Sequence, residues 1–411
     1  MSKIKSLKAR EILDSKGEPA VEVRLETDLG FFCASSPSGV SRGANEAREL
    51  RDGDERYRGK GVLGVVKNVN EFIAKALKGK DPVRQEEIDN LMKELDGTND
   101  KSRFGVNAIL PVSIAICRAG AEAKKLNLWK HLADLAGCLS PSLPTPGLLL
   151  IEGGLHSGSN LEVQEFMIVS EADSFKEKLR MGVETYHLLG EILEKNYGKG
   201  AKNIGLEGAF APFLKGTREA LEIILEAAEK SGYEKKTKII LDMAAASFFK
   251  NGFYRFENTS YSSENLLNFY NSLIKDFPLL GIEDPFGEEE WLAFSEITER
   301  WGKEVMIIGD DLLMTNSTRI ERGISLKSVN GLILKPNQVG TITETIEAAN
   351  LAKGAGWKVF AKHRSGETND DFLADLAVGL GADYLLAGAP TRGERTAKYN
   401  RLLEIEEEIE N

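Results

Sequence analysis

One pattern constrains this chain more than any other. Apolar runs that read as buried strands end repeatedly on charged residues. IILDMA closes on Asp242, LGIEDPF on Glu283 and Asp284, MIIGDD on Asp310 and Asp311, GLILKP on Lys335, and WKVFAKHRSG on His363 and Arg364. The tips at 242, 283, 310, 335 and 363 lie 41, 27, 25 and 28 residues apart, close to one strand–helix unit each. An isolated buried charge is costly, so five such endings need a common cause. Between them lie amphipathic stretches such as SFKEKLRMGVETYHLLGEILEKNYG, TREALEIILEAAEKSGY and TITETIEAANLAKGAGW, an alternation that implies a parallel sheet. The even spacing favours an α/β fold of the closed (β/α)8 barrel type, whose strand ends converge on one mouth where barrel active sites lie. An open doubly wound sheet would usually carry a glycine-rich turn after its first strand, and none is present.

The first third reads differently. In AVEVRLETD, Val21, Val23 and Leu25 alternate with Glu22, Arg24 and Glu26, and GFFCASS follows a DLG turn, which gives an antiparallel meander. Helical stretches follow at VLGVVKNVNEFIAKALKG, RQEEIDNLMKELDG and NAILPVSIAICRAGAEAKKLNLWKHLADLAG, the last interrupted by Pro111. The expectation is a smaller N-terminal α+β domain over residues 1–137 and the barrel over 138–411.

Composition fits that size. The 411 residues are 42% hydrophobic and 28% charged, and 53 basic against 64 acidic residues give a formal charge of −11. That balance, without a basic patch, argues against nucleic-acid or anionic-membrane partners. No signal-peptide core is evident and no apolar run approaches a membrane span, so a cytoplasmic protein is expected. Cys33, Cys117 and Cys138 lack metal-ligand or disulfide spacing and read as reduced packing residues.

Asp242, Glu283 and Asp310 would be carboxylates from three successive strands facing one space, and they could not all ionise there without a cation. Oxygen ligands without His or Cys suit a hard ion, Mg2+ first. Each could otherwise simply cap the helix after its strand. Lys335 stands one strand further on, and neighbouring cations would lower its pKa toward that of a usable base. Arg364 and Ser365 suit a phosphate, although Ser365 and Thr368 could also cap the next helix. Metal, base and anion site together suggest proton abstraction next to a carboxylate.

These residues belong to a longer series: ILDSKGEPAVEV, PSGVSRGANEARELRDGD, VQEFMI, GIEDPF, GDDLLMTN, LKPNQVGTITE, HRSGET and ERTAKYNRLLEIEEE. In these motifs the chain resembles enolase, phosphopyruvate hydratase, along almost its whole length. The resemblance implies an enolase-type barrel, two Mg2+ ions, a homodimer or higher homo-oligomer, and a small phosphorylated acid as substrate. The reaction implied is the reversible dehydration of 2-phosphoglycerate to phosphoenolpyruvate, a lyase step of glycolysis and gluconeogenesis. Asp242, Glu283 and Asp310 match ligands of the first ion, and Ser41 matches a serine that helps hold the second. Lys335 matches the base that takes the C2 proton, and Glu207 with Glu165 the general acids that assist loss of the C3 hydroxyl. His156 matches a loop histidine near the reaction centre. Arg364 and Ser365 match the phosphate binders, and His363, Gln164, Glu283 and Asp310 complete the implied substrate contacts.

Several positions depart from the pattern. Leu386 in YLLAGAP replaces a lysine that grips the substrate carboxylate in the family, Leu206 an Asp, Ala209 a Gly, Ser247 a Glu, Glu152 an Asn and Arg42 a Thr. Lys362 and Arg42 are the nearby cations, and strand alternation turns Lys362 to the side opposite His363. Three readings follow: an enolase with a rearranged carboxylate site, an enolase-fold enzyme acting on another phosphorylated substrate, and a non-catalytic enolase-related binding protein.

Overall fold

The computed structural model describes residues 2–40, 43 and 45–410. Ser41 and Arg42, both singled out above, lie outside the described residues. The meander forms as expected: β1 (Ser6–Leu13), β2 (Pro19–Thr27) and β3 (Gly30–Ser35) pair antiparallel in sequence order. Val21, Val23 and Leu25 are buried on its inner face. Helix Val106–Lys124 packs on β2 and β3, and helices Gln85–Asp96 and Leu128–Ala136 pack against that helix. Helix Val106–Lys124 runs through Pro111, because a proline so near the helix start removes a single hydrogen bond while burial of nearly the whole first half holds the turn. The break falls instead at Lys125, whose φ of 55° is left-handed. This 19-residue helix is long and apolar enough to cross a membrane, contrary to the expectation that no run approaches that length, but most of it is buried within the fold. Of the cysteines, Cys117 is packed as expected, whereas Cys33 is exposed.

The second region is a closed eight-stranded barrel. Its strands are β4 (Thr145–Glu152), β5 (Glu165–Ser170) and β6 (Thr237–Asp242), then β10 (Leu279–Glu283), β11 (Met306–Gly309), β12 (Gly331–Leu334), β13 (Lys358–Lys362) and β14 (Tyr384–Leu386). Between β6 and β10 a small antiparallel sheet intervenes, made of β7 (Phe249–Lys250), β8 (Phe253–Phe256) and β9 (Thr259–Tyr261). That insertion accounts for the long first interval of 41 residues. The sheet is not wholly parallel: β5 pairs antiparallel with both β4 and β6. The cause is the connection after β4, which holds one short 3-10 turn in place of a crossover helix, and a parallel neighbour needs a crossover.

Several of the helices between strands start on a side-chain cap. Ser174 accepts from the Glu177 amide, Ser262 from the Asn265 amide, and Thr341 from the Glu344 amide while its hydroxyl donates back to the Glu344 carboxylate. The N-terminal region clamps the barrel's HRSGET loop. Ser38 and Gly366 exchange backbone hydrogen bonds of 2.7 and 2.8 Å, the Ser15 amide donates to Glu367 O at 2.7 Å, and Arg118 reaches Asp370 and Asp371. Neither Ser365 nor Thr368 caps the next helix; Asp370 accepts from Phe372 N at its start.

Candidate active site

Strand pairing places the carboxylates. Glu152 pairs with Glu165, Glu165 with Asp242, and Asp242 with Glu283, so four acidic residues lie in register across β4, β5, β6 and β10. Paired residues of neighbouring strands face the same side of a sheet, and like charges so placed repel. All four are almost completely buried. Asp310 follows β11 and Lys335 follows β12, which continues the row round the mouth. Asp284 turns out to be a scaffold residue: its carboxylate accepts from the Asp310 amide at 3.0 Å and the Asp311 amide at 2.7 Å and so shapes the tip of β11. Left-handed residues sit at these tips, Ala244, Asp284, Met314 and Thr315, a costly conformation that bends the chain away at each strand end.

Two lysines reach into the acidic row. The Lys335 ammonium donates to Asp310, and Gln338 donates to the same carboxylate at 2.9 Å. Lys362 was expected to face away from the site. It does alternate with His363, yet it is Lys362 that projects into the barrel. Its Nζ lies 2.7 Å from Glu283 Oε1, 2.9 Å from Asp242 Oδ2 and 3.1 Å from Glu165 Oε2. In barrel order β13 stands diametrically opposite β6, so this side chain crosses the barrel axis. Leu386 is the register partner of Lys362 and packs over Gly147, its own partner on β4. The cation missing at position 386 is therefore present at the same level one strand away.

Glu207 sits in a loop built for it. The Glu207 and Ala209 amides donate to Glu152, at 3.1 and 3.0 Å, and Tyr186 donates to Gly208 O at 2.9 Å. Gly208 is left-handed, and a Cβ there would meet Thr391 Oγ1 at 2.7 Å. The Glu207 carboxylate lies 2.9 Å from His363 Nε2 and 3.4 Å from His156 Nδ1, which is also 3.6 Å from Glu165. Arg395, fully buried on the C-terminal helix, donates to His363 Nδ1 at 2.6 Å. A guanidinium can only donate, so Nδ1 accepts and the ring proton sits on Nε2, facing Glu207.

The two glutamates differ electrostatically. Burial pushes Glu165 up to about 8, with the charges of Glu207 and Asp242 adding to it against Lys362. Glu207 is buried too, yet His363 and His156 hold it well below the usual carboxylate range. The two are thus biased in opposite directions, Glu165 toward its protonated form and Glu207 toward its ionised form. Burial also raises Glu152 to about 9, with the Glu207 charge adding, and lowers His363 to about 4. Burial works to lower Lys335, but Asp310 outweighs it and the net shift is upward, opposite to the lowering expected from the sequence. That expectation supposed neighbouring cations on the carboxylates, whose positive charge would oppose the Asp310 contribution.

Arg364 and Ser365 stand at the mouth, held from the N-terminal region. Arg364 Nη1 donates to Glu46 at 2.8 Å and to Asn337 at 3.1 Å, and Ser365 Oγ accepts from Val40 N at 2.9 Å. Gln164 Nε2 donates to Asp242 at 3.3 Å.

The oxygen donors suit a hard divalent ion. Glu283 Oε2 is buried without a hydrogen-bond partner, and burial with the Asp242 charge drives the Glu283 pKa well up, so the row is short of positive charge. Asp242, Glu283 and Asp310 do not form a compact ligand set, however. Among the described residues, the groups whose donor atoms approach within 4.8 Å of one another are His156–Glu165–Glu207 and Asp284–Asp310–Asp311. Lys335 and Lys362 stand between the three expected ligands.

The sequence reasoning passed over Arg395 and Lys398. Lys398 Nζ donates to Glu367 and to Thr368 O, both at 2.8 Å, and Arg395 donates to the carbonyls of Arg364 and Ser365. Two cations three residues apart on one helix face, in ERTAKYN, were the available signal.

Known proteins are similar to this chain from end to end. The family model described as the enolase C-terminal TIM barrel domain matches residues 140–411, and that of the enolase N-terminal domain matches residues 4–132. An enolase of Methanopyrus kandleri is 48% identical over 415 residues, covering all of this chain and 96% of its own length. Enolase B of Dictyostelium discoideum is 49% identical over 99% of this chain and 95% of its own, and an enolase of Solanum lycopersicum 47% identical over 100% and 96%. With both domain models matched and near-half identity from end to end, the chain belongs to the enolase family.

Proposed function

We infer that this chain is a phosphopyruvate hydratase, a lyase interconverting 2-phosphoglycerate and phosphoenolpyruvate, and that the residues at the barrel mouth divide the work as follows. Lys335 takes the C2 proton. Glu165, from the strand diametrically opposite β12, holds the proton delivered to the departing C3 hydroxyl, and Glu207 with His156 orients that hydroxyl. Arg364 and Ser365 bind the phosphate, Arg364 exchanging Glu46 for it. Gln164 and His363 line the same mouth, His363 holding Glu207 ionised. Asp242, Glu283 and Asp310 would hold a divalent ion, Mg2+ by the hardness of the donors. When bound, such an ion supplies positive charge for the substrate's carboxylate oxygens.

Leu386 no longer argues against this reaction. Lys362 stands at the same level of the barrel, one strand over, and we assign it the substrate carboxylate. The observation that carries the proposal is the opposition across one mouth of Lys335 and Glu165, with the acidic row between them. Phosphoenolpyruvate formation from 2-phosphoglycerate in Mg2+, lost in Lys335→Ala, tests it; turnover unaffected by that change refutes it.

The division into residues 1–137 and 138–411 is proposed with it. Support comes from helix Leu128–Ala136, which closes the first region, and from β4, which opens the barrel at Thr145. A cytoplasmic homodimer or higher homo-oligomer and a place in glycolysis and gluconeogenesis complete the proposal, on the strength of the family.

A further inference from the structure

Lys362 crosses the barrel axis to meet carboxylates on three strands, and two of them, Asp242 and Glu283, belong to the set assigned to the divalent ion. The third, Glu165, lies between them and the loop of Glu207. The ammonium is only 3% exposed on its side chain, and its three contacts lie between 2.7 and 3.1 Å, so it is a seated counter-ion and not a passing surface charge. An ion bound by Asp242 and Glu283 would share those two carboxylates with this ammonium, which holds Asp242 Oδ2 and Glu283 Oε1. Glu283 Oε2, buried and without a hydrogen-bond partner, is the one donor of that pair left to meet an incoming ion first.

We propose that Lys362 is a tethered cation that competes with the divalent ion for Asp242 and Glu283, so that the ion enters only as the ammonium swings off them. This rests on the assignment of those carboxylates to the ion. Glu165, already 3.1 Å from the ammonium, stays within its reach as it leaves, and Leu386, the register partner of Lys362 on β14, brings no competing charge. Ion binding and the release of Lys362 toward the substrate side are then one event.

A ligand whose binding-competent state is a minority species binds more weakly by that minority fraction. If the ammonium holds the two carboxylates nine-tenths of the time or more, its removal tightens the ion's affinity about tenfold or more. The test is calorimetric titration of the full chain with MgCl2, without substrate, for the unaltered protein, Lys362→Met and Lys362→Gln, paired with melting curves in EDTA and in Mg2+. Expected is a Kd for Mg2+ at least about tenfold lower in both variants, with a larger Mg2+-dependent rise in Tm than the unaltered protein shows. The glutamine variant keeps a hydrogen-bond donor among the carboxylates, so it reports on the charge even where the methionine variant does not fold. Unchanged or weaker affinity in a folded variant overturns the competition while leaving the ion site standing. Absence of Mg2+ binding in all three proteins overturns the assignment of Asp242 and Glu283 to the ion, and the competition with it.

Discussion

Arg395→Met is the substitution whose consequence the structure fixes most closely. The guanidinium is fully buried and donates to His363 Nδ1, Arg364 O, Ser365 O and Leu206 O at 2.6, 2.6, 2.7 and 3.1 Å. Methionine fills much of the same volume and makes none of these bonds. Breaking a buried charged network from one side costs about 3–5 kcal/mol, because the abandoned acceptors stay buried. The unfolding entropy of about 2.1 cal/mol/K per residue, taken over the 411 residues, is roughly 0.9 kcal/mol/K, so the melting temperature should fall by about 3–6 °C. Calorimetry of both proteins in the same buffer reads that shift. A structural anchor alone would stop there, but Arg395 also fixes the proton on His363 Nε2 beside Glu207. The kcat against pH profile should therefore change shape in Arg395→Met, and Arg395→Lys, which keeps charge but not the fork, should restore stability better than it restores the profile. A melting point within about 1 °C of the parent would refute the reasoning, as would a lowered melting point with an unaltered profile.

Leu386→Lys adds an ammonium beside Lys362, its register partner, and should lower turnover of 2-phosphoglycerate; Lys362→Ser/Leu386→Lys, which moves the cation one strand, should recover part of it. Steady-state kinetics decides, and a gain in the single variant would mean Lys362 does not serve the carboxylate. Glu152 has its folded pKa raised to about 9, so its contribution to stability is full below about 4.5 and lost as pH rises through 9. Urea midpoints at pH 6 and pH 9 should differ less in Glu152→Gln, whose carbonyl still accepts from the Glu207 and Ala209 amides; an equal difference would assign the pH dependence elsewhere. Mg2+ should raise the melting temperature of the unaltered protein, and Asp310→Ala should lose most of that rise. A full rise in that variant would remove Asp310 from the ion site.

Much of this was legible in the sequence because it depends on periodicity. Apolar runs with charged ends announced the barrel and its mouth, and the alternation of Val21, Val23 and Leu25 announced the meander. What the sequence hid depends on which residues become neighbours across strands. The antiparallel β5 follows from the missing crossover helix, a feature of connection and not of strand composition. The in-register row from Glu152 to Glu283 needs the pairing to be known. The side-chain direction of Lys362 was misjudged because His363 already lies beyond the last residue of β13, so alternation with His363 carried no information about which of them entered the barrel. Arg395 and Lys398 act from a helix remote in sequence on a loop about 30 residues earlier, a contact no local pattern states.

The central claim is that this mouth abstracts the C2 proton through Lys335 and expels the C3 hydroxyl through Glu165 and Glu207. Hydrogen exchange between solvent deuterium and C2 of 2-phosphoglycerate, followed by NMR in Mg2+ alongside phosphoenolpyruvate formation, separates those two halves. The account predicts exchange and product in the unaltered protein, neither in Lys335→Ala, and exchange that outlasts product formation in Glu165→Gln. Exchange that persists at the parent rate in Lys335→Ala would contradict it.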